Sequence, residues 1–106
     1  MDMKLRGKVA LVTGAARDVG REIALGLAAE GAAVAVNYRG SKELAERVVG
    51  EITGNGGRAI AYEADVSDFG AVQQMIGKIV ADFGGLNIVV NNAGVALRNR
   101  FAETTP

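Results

Sequence analysis

Cysteine, histidine and tryptophan are absent from this 106-residue sequence, and proline occurs once. Without cysteine there is no disulfide framework, no thiol nucleophile and no thiolate metal site. Without histidine the commonest metal ligand and general base is gone, which excludes Ser-His-Asp and Cys-His arrangements. An excess of charge of either sign is also missing, because 12 Lys/Arg balance 12 Asp/Glu. That balance points away from nucleic acid and anionic membranes as partners. No apolar run approaches the ~18 residues of a membrane span. The opening Met1-Asp-Met-Lys-Leu-Arg-Gly-Lys8 has no apolar segment before a small-residue cleavage site. These absences predict a cytoplasmic protein.

What is present is small and periodic. Fifteen glycines and 18 alanines shorten the average side chain, yet no Gly-X-Y period or low-complexity tract accompanies them. Val9-Ala-Leu-Val-Thr13 is a short apolar run of the kind expected of a strand buried on both faces. After a turn from Gly14 to Gly20, apolar positions at helical spacing run from Arg21 to Glu30, and Gly31 supplies a stop. Ala32–Val36 reads as a second strand. Ser41 offers an N-cap to a helix carrying Leu44, Val48 and Ile52, ended by Gly54-Asn-Gly-Gly57. Arg58–Tyr62 is the third strand. Ser67 or Asp68 caps a third helix striped by Val72, Ile76, Ile79 and Phe83, and Leu86–Val90 is the fourth strand. Strands alternating with helices predict βαβ units, hence an α/β fold with a parallel sheet and helices on both faces.

The chemistry sits in the first turn. Thr13-Gly-Ala-Ala-Arg-Asp-Val-Gly20 follows a strand and opens a helix, the context that turns a glycine spacing into a dinucleotide hypothesis. A helix N-terminus offers unpaired N–H groups and partial positive charge to a pyrophosphate. A Walker-type P-loop is excluded, because Gly20 is followed by Arg21-Glu22 and not by Lys-Ser/Thr. The plain alternative is a glycine turn that only lets strand and helix pack closely.

Thr13-Gly14-x-x-x-Asp18-x-Gly20, Asp65-Val66 and Asn91-Asn-Ala-Gly94, in that order and in those elements, resemble the short-chain dehydrogenase/reductase family. The likeness runs from the first strand to Phe101-Ala-Glu-Thr-Thr-Pro106. It implies a Rossmann-like sheet, of which residues 1–106 supply the N-terminal dinucleotide-binding portion, ending after about four strands. It implies that Gly14 and Gly20 shape the turn under the pyrophosphate, with Arg17, Asp18 and Val19 also counted as cofactor-binding. Asp65 would hydrogen-bond the adenine with Val66 against the ring, and Asn92, Ala93 and Gly94 would line the ribose side with Asn91. Capping of the third helix through Asp65-Val-Ser67, and turn chemistry at Asn91 and Asn92, are the structural alternatives. The resemblance further implies a small carbonyl or alcohol substrate and a homo-oligomer for the full-length protein.

Asp18 departs from the family pattern, standing where a glycine usually lets backbone approach phosphate. Unit charges roughly 4 Å apart repel by about 4 kcal/mol at an effective dielectric near 20, before screening. Asp tolerates left-handed backbone and can cap the helix of Gly20, so weakened or shifted cofactor binding is expected, with the fold intact. The ending of the second strand, Asn37-Tyr38-Arg39, is expected to bind cofactor and has no acid until Glu43, whereas NAD sites of this type place one there for the ribose 2′-hydroxyl. Arg17 and Arg39 can clamp a 2′-phosphate, so NADP is expected over NAD; solvated surface arginines are the alternative.

Family members resemble one another in a catalytic Ser, Tyr and Lys, the last two as Tyr-x-x-x-Lys on one helix. Tyr38-Arg-Gly-Ser-Lys42 has the spacing but straddles a strand end and a glycine turn, and Tyr62 has no lysine four residues on. No catalytic residue is therefore assigned. Thr104-Thr-Pro106 looks like a helix start, which leads to the expectation that the chain is part of a longer protein. The functional reading is an NADP-dependent oxidoreductase whose cofactor-binding half is this chain. Its alternatives are a non-catalytic nucleotide-binding module and an inert fragment with an exposed edge strand.

Overall fold

The computed structural model describes residues 4–92. Its elements are β1 (Val9–Val12), α1 (Asp18–Ala29), β2 (Ala33–Tyr38), α2 (Lys42–Gly54), β3 (Ala59–Glu63), α3 (Phe69–Phe83) and β4 (Ile88–Val90). All strand pairs are parallel and the order is β3-β2-β1-β4. The α/β class expected from the alternating pattern, and the Rossmann-like sheet implied by the resemblance, are what the chain forms. Ala93, Gly94 and the helix start at Thr104–Pro106 lie outside the described residues.

Side-chain alternation along each strand decides which helix covers which face. Ala10, Val12, Val34, Val36 and Ala59 pack with Ala24 of α1 and Ala45, Val48 and Ile52 of α2. The intervening Val9, Leu11, Ala35 and Tyr62 pack with Met75 and Ile79 of α3. Helices thus cover both faces, and β1 and β2 are buried on both, which is why they read as unbroken apolar runs. The abundance of alanine has a physical use here, since small residues let helices seat close to the sheet.

Of the element boundaries that differ from the sequence reading, three have a clear local reason. Helix α1 begins at Asp18, three residues ahead of Arg21, so Asp18 is its first helical residue and Arg17, not Asp18, occupies the N-cap. Strand β2 continues through Asn37 and Tyr38 because β3 pairs with it as far as Tyr38↔Glu63. Strand β4 starts at Ile88, not Leu86, because the Asn87 side chain replaces a ladder bond. Its Oδ1 accepts from the Val9 N–H at 2.8 Å. Ser41 does stand at the N-cap of α2 but bonds no amide there; its Oγ accepts from the Arg17 guanidinium at 3.1 Å. Between the two candidates for α3, Asp68 is the cap, accepting from the Ala71 N–H at 3.1 Å.

Candidate functional site

In an open parallel sheet, ligands lodge beyond the carboxyl ends of the strands where the strand order reverses. Here successive strands step from β1 to β2 to β3, and the chain then returns to the other side of β1 to form β4. The reversal lies between β1 and β4, and the Gly14–Gly20 turn and Asn91-Asn92 both emerge at that point.

The turn is built from backbone that side chains would obstruct. Gly14 has φ 60°, and Asp18, at φ 55°, is the one non-glycine residue with positive φ among the described residues. Gly20 is buried against the turn: a Cβ there would overlap the Gly14 carbonyl and come within 2.6 Å of the Asn92 Nδ2. Glycine is needed at position 20 because the first turn of α1 lies on the backbone that leaves β1. No side chain caps α1, in contrast to α3, so its first-turn N–H groups remain free to donate to an anion.

The β4 side of the turn is tied down by Thr13. Its N–H donates to the Val90 carbonyl at 3.0 Å. Its hydroxyl donates to Asn91 Oδ1 at 3.0 Å and accepts from the Asn92 N–H at 2.8 Å. Asn92 Nδ2 then reaches the Gly14 carbonyl at 3.3 Å. Both asparagine side chains thus bond across to the end of β1 and not to their own neighbouring backbone. Asn91 Nδ2 is buried and without a hydrogen-bond partner among the described residues.

At the other flank, Asp65 and Val66 follow β3 and are half-buried. Asp65 Oδ1 accepts from both the Ser67 hydroxyl at 2.7 Å and the Ser67 N–H at 3.0 Å, while Oδ2 pairs with Arg39 Nη2 at 3.3 Å. The Ser67 hydroxyl, then its N–H, and then the nearby Arg39 charge hold this carboxyl below the usual range. Arg17 and Arg39 are exposed at the same end of the sheet, and Val19 is exposed beside Asp18.

The two residues of β2 counted with the cofactor site are buried. Asn37 and Tyr38 are only 2% and 7% exposed. Tyr38 packs into the face covered by α1 and α2, and the Asn37 carboxamide is spent on the chain itself. Their placement follows from the extra length of β2, which carries both into the sheet. Thr13 stands in the motif without an assigned role and Ser41 only as a helix cap; the structure adds their bonds to Asn91, Asn92 and Arg17. Thr13 was visible as the polar end of an apolar strand, whereas nothing in the sequence linked Ser41 to Arg17.

The candidate catalytic pair is also resolved. Tyr38 ends β2 and Lys42 opens α2, so they share no helix face. The Tyr62 hydroxyl donates to Asp82 Oδ2 at 2.7 Å; burial, then this carboxylate, raises its pKa well above the ordinary value, the wrong direction for a proton-transferring tyrosine. Among the described residues no group of His, Cys, Asp and Glu could hold a metal ion. No helix among them is long and apolar enough to cross a membrane.

A cavity of about 770 Å³ opens at the opposite, amino end of the strands, lined in part by Lys8, Val9, Ile52, Arg58 and Phe83. Its arginine has a structural task. Arg58 donates to the Asp82 carbonyl at 2.8 Å near the end of α3 and lies 4.6 Å from the Phe83 ring centre, answering orphan carbonyls at a helix C-terminus.

Comparison with known proteins agrees with this geometry. The short chain dehydrogenase family model matches residues 8–106. Versicolorin reductase stcU of Emericella nidulans is 48% identical over 103 residues, 97% of this chain and 39% of that protein. The 3-oxoacyl-(acyl-carrier-protein) reductase FabG of Staphylococcus aureus is 54% identical over 92 residues, 87% of this chain and 37% of that one. A solved short chain dehydrogenase from Burkholderia cenocepacia, in complex with NADP, superposes with a TM-score of 0.83 at 50% identity, covering 87% and 38% of the two chains. A dehydrogenase/reductase from Sinorhizobium meliloti gives 0.85 at 49% identity, covering 89% and 37%. The chain spans less than two fifths of the length of the curated relatives it matches. With its turn, its strand reversal and nearly its whole length accounted for by one family model, the chain belongs to the short chain dehydrogenase family of oxidoreductases.

Proposed function

We propose that this chain is the dinucleotide-binding part of an NADP-dependent oxidoreductase that moves hydride between cofactor and a small carbonyl or alcohol substrate. The observation that carries the proposal is the uncapped N-terminus of α1, laid by Gly20 onto the Gly14 turn at the strand reversal. A Cβ would fill that cradle, which fits a pyrophosphate held by backbone N–H groups. The nicotinamide supplies the hydride when bound.

The chain's own residues bind and orient. Gly14, Gly20 and the first-turn amides of α1 receive the pyrophosphate, with Val19 alongside. Asp65 and Val66 bound the adenine, and the ribose side is assigned to Asn92, Ala93 and Gly94. Arg17 and Arg39 select a 2′-phosphate. Both guanidiniums are already held near the adenosine end, one on Ser41 and one on Asp65, and no carboxylate ends β2 to prefer a ribose hydroxyl. The NADP complex of the Burkholderia relative supports the same choice. Isothermal titration of the chain with NADP⁺ and NAD⁺ tests it. Tighter binding of NADP⁺ is expected, while equal affinity, a preference for NAD⁺ or no binding of either would overturn the assignment.

A second reading, a nucleotide-binding unit without turnover, is favoured by one observation. Neither tyrosine of the chain is paired with a lysine across a helix face, and the Tyr62 hydroxyl is engaged with Asp82. Assay of the chain for ketone reduction with NADPH separates the two readings.

A further inference from the structure

We propose that Asn37, buried within β2, is the positioning residue that sets the two halves of the dinucleotide site relative to each other. The inference rests on the dinucleotide reading above and adds a role for a residue that touches no cofactor.

Asn37 and Thr13 are the buried polar residues among those described. Thr13 ends a strand, but Asn37 lies inside one, on the face of β2 that meets Met75 of α3. An amide in such a place is costly unless every polar atom is satisfied. Each one is. Oδ1 accepts from the Gly14 N–H at 3.1 Å, and Nδ2 donates to the Tyr62 and Ala64 carbonyls at 3.3 and 3.2 Å. The partners fix the amide's orientation, since a flipped carboxamide would set NH₂ against an N–H and oxygen against two carbonyls. The Asn37 backbone carbonyl accepts in addition from the Ala15 N–H at 2.8 Å.

One residue of β2 therefore holds the first two residues of the phosphate turn and, on its other side, the last residue before Asp65. Those segments leave different strands, β1 and β3, which do not pair with each other. A valine would fill the same sheet position without burying a carboxamide of its own. What valine cannot do is fix Gly14, on whose carbonyl Gly20 and Asn92 converge. The carboxamide thus sets the spacing between the pyrophosphate cradle and the adenine wall.

The Asn37→Asp variant tests this because it keeps shape and removes donors. Its ionised carboxylate faces two carbonyls; protonated, it regains one donor, and burial raises its pKa so that protonation falls within an accessible range. The neighbouring titratable groups are Tyr62, whose hydroxyl is turned to Asp82, and Asp65, paired with Arg39. Comparing Kd for NADP⁺ as the ratio of variant to unsubstituted chain at each pH cancels their titration and that of the 2′-phosphate. The expected ratio is about tenfold at pH 8 and narrows towards unity near pH 5.5. A ratio of one throughout, or a raised ratio that ignores pH, overturns the proposal.

Hydrogen exchange on the unsubstituted chain supplies a test that needs no variant and no cofactor. The Gly14 amide is expected to exchange far more slowly than those of Asp18 and Val19, and equal rates would overturn the anchor. If the unsubstituted chain binds no NADP⁺ while Gly14 is protected, the dinucleotide reading fails and the anchor stands.

Discussion

Asp18 concentrates the conflict within the site. Its φ of 55° is a conformation that costs an ordinary L-residue roughly 1 kcal/mol and costs Asp less, so the fold admits it at the turn's tightest point. Its carboxylate nevertheless stands at the helix end proposed to receive phosphate, opposing an anion there. Replacing it with glycine removes both the backbone strain and the charge. The Asp18→Gly chain is expected to bind NADP⁺ at least about tenfold more tightly, with no loss of thermal stability. An unchanged Kd by calorimetry would show that the carboxylate points clear of the ligand. Position 18 was legible in the sequence as a departure from a pattern. Asn37 was legible only as a polar residue following an apolar run, which does not reveal that its partners are backbone atoms of two other strands.

Among the elements, α3 is joined to the sheet by its own polar tie as well as by its apolar stripe. Tyr62 of β3 donates to Asp82 near the C-terminal end of α3, while Asp68 caps the other end. Because the folded chain raises the Tyr62 pKa, the tie is fully present below the ordinary tyrosine value of about 10 and is lost as pH rises through the folded value. Tyr62→Phe is expected to cost about 1 kcal/mol at neutral pH, and in strongly alkaline solution the gap between variant and parent closes. Urea melts at neutral and alkaline pH check this; a constant gap would contradict it. The existence and order of every element could be read from periodicity, because each strand is apolar and each helix carries an apolar face. The ends could not. Where β2 stops is set by how far β3 accompanies it, and where β4 starts is set by an asparagine side chain bonding a strand that begins 78 residues earlier.

Over the whole molecule, the parallel sheet followed from the alternation of strands and helices, but the place of β4 did not. Nothing within Ile88-Val-Val90 states that it passes β3 and β2 to lie against β1. That position is enforced by contacts distant in sequence, chiefly Asn87 with Val9 and Thr13 with Asn91 and Asn92. The detour has a consequence for the route by which the chain folds. Partners in the β1–β2 and β2–β3 pairs are about two dozen residues apart, whereas Ala10 must find Ile88. Closing the longer loop costs about 1 kcal/mol more in chain entropy and returns a short three-residue strand. The inner strands are therefore expected to form the folding nucleus, with β4 docking late. In stopped-flow kinetics Leu11→Ala should slow folding, while Ile88→Ala should mainly hasten unfolding; equal slowing by both would place β4 in the nucleus. Late docking means that the crevice between β1 and β4 is the last part of the sheet to be completed and the first to open.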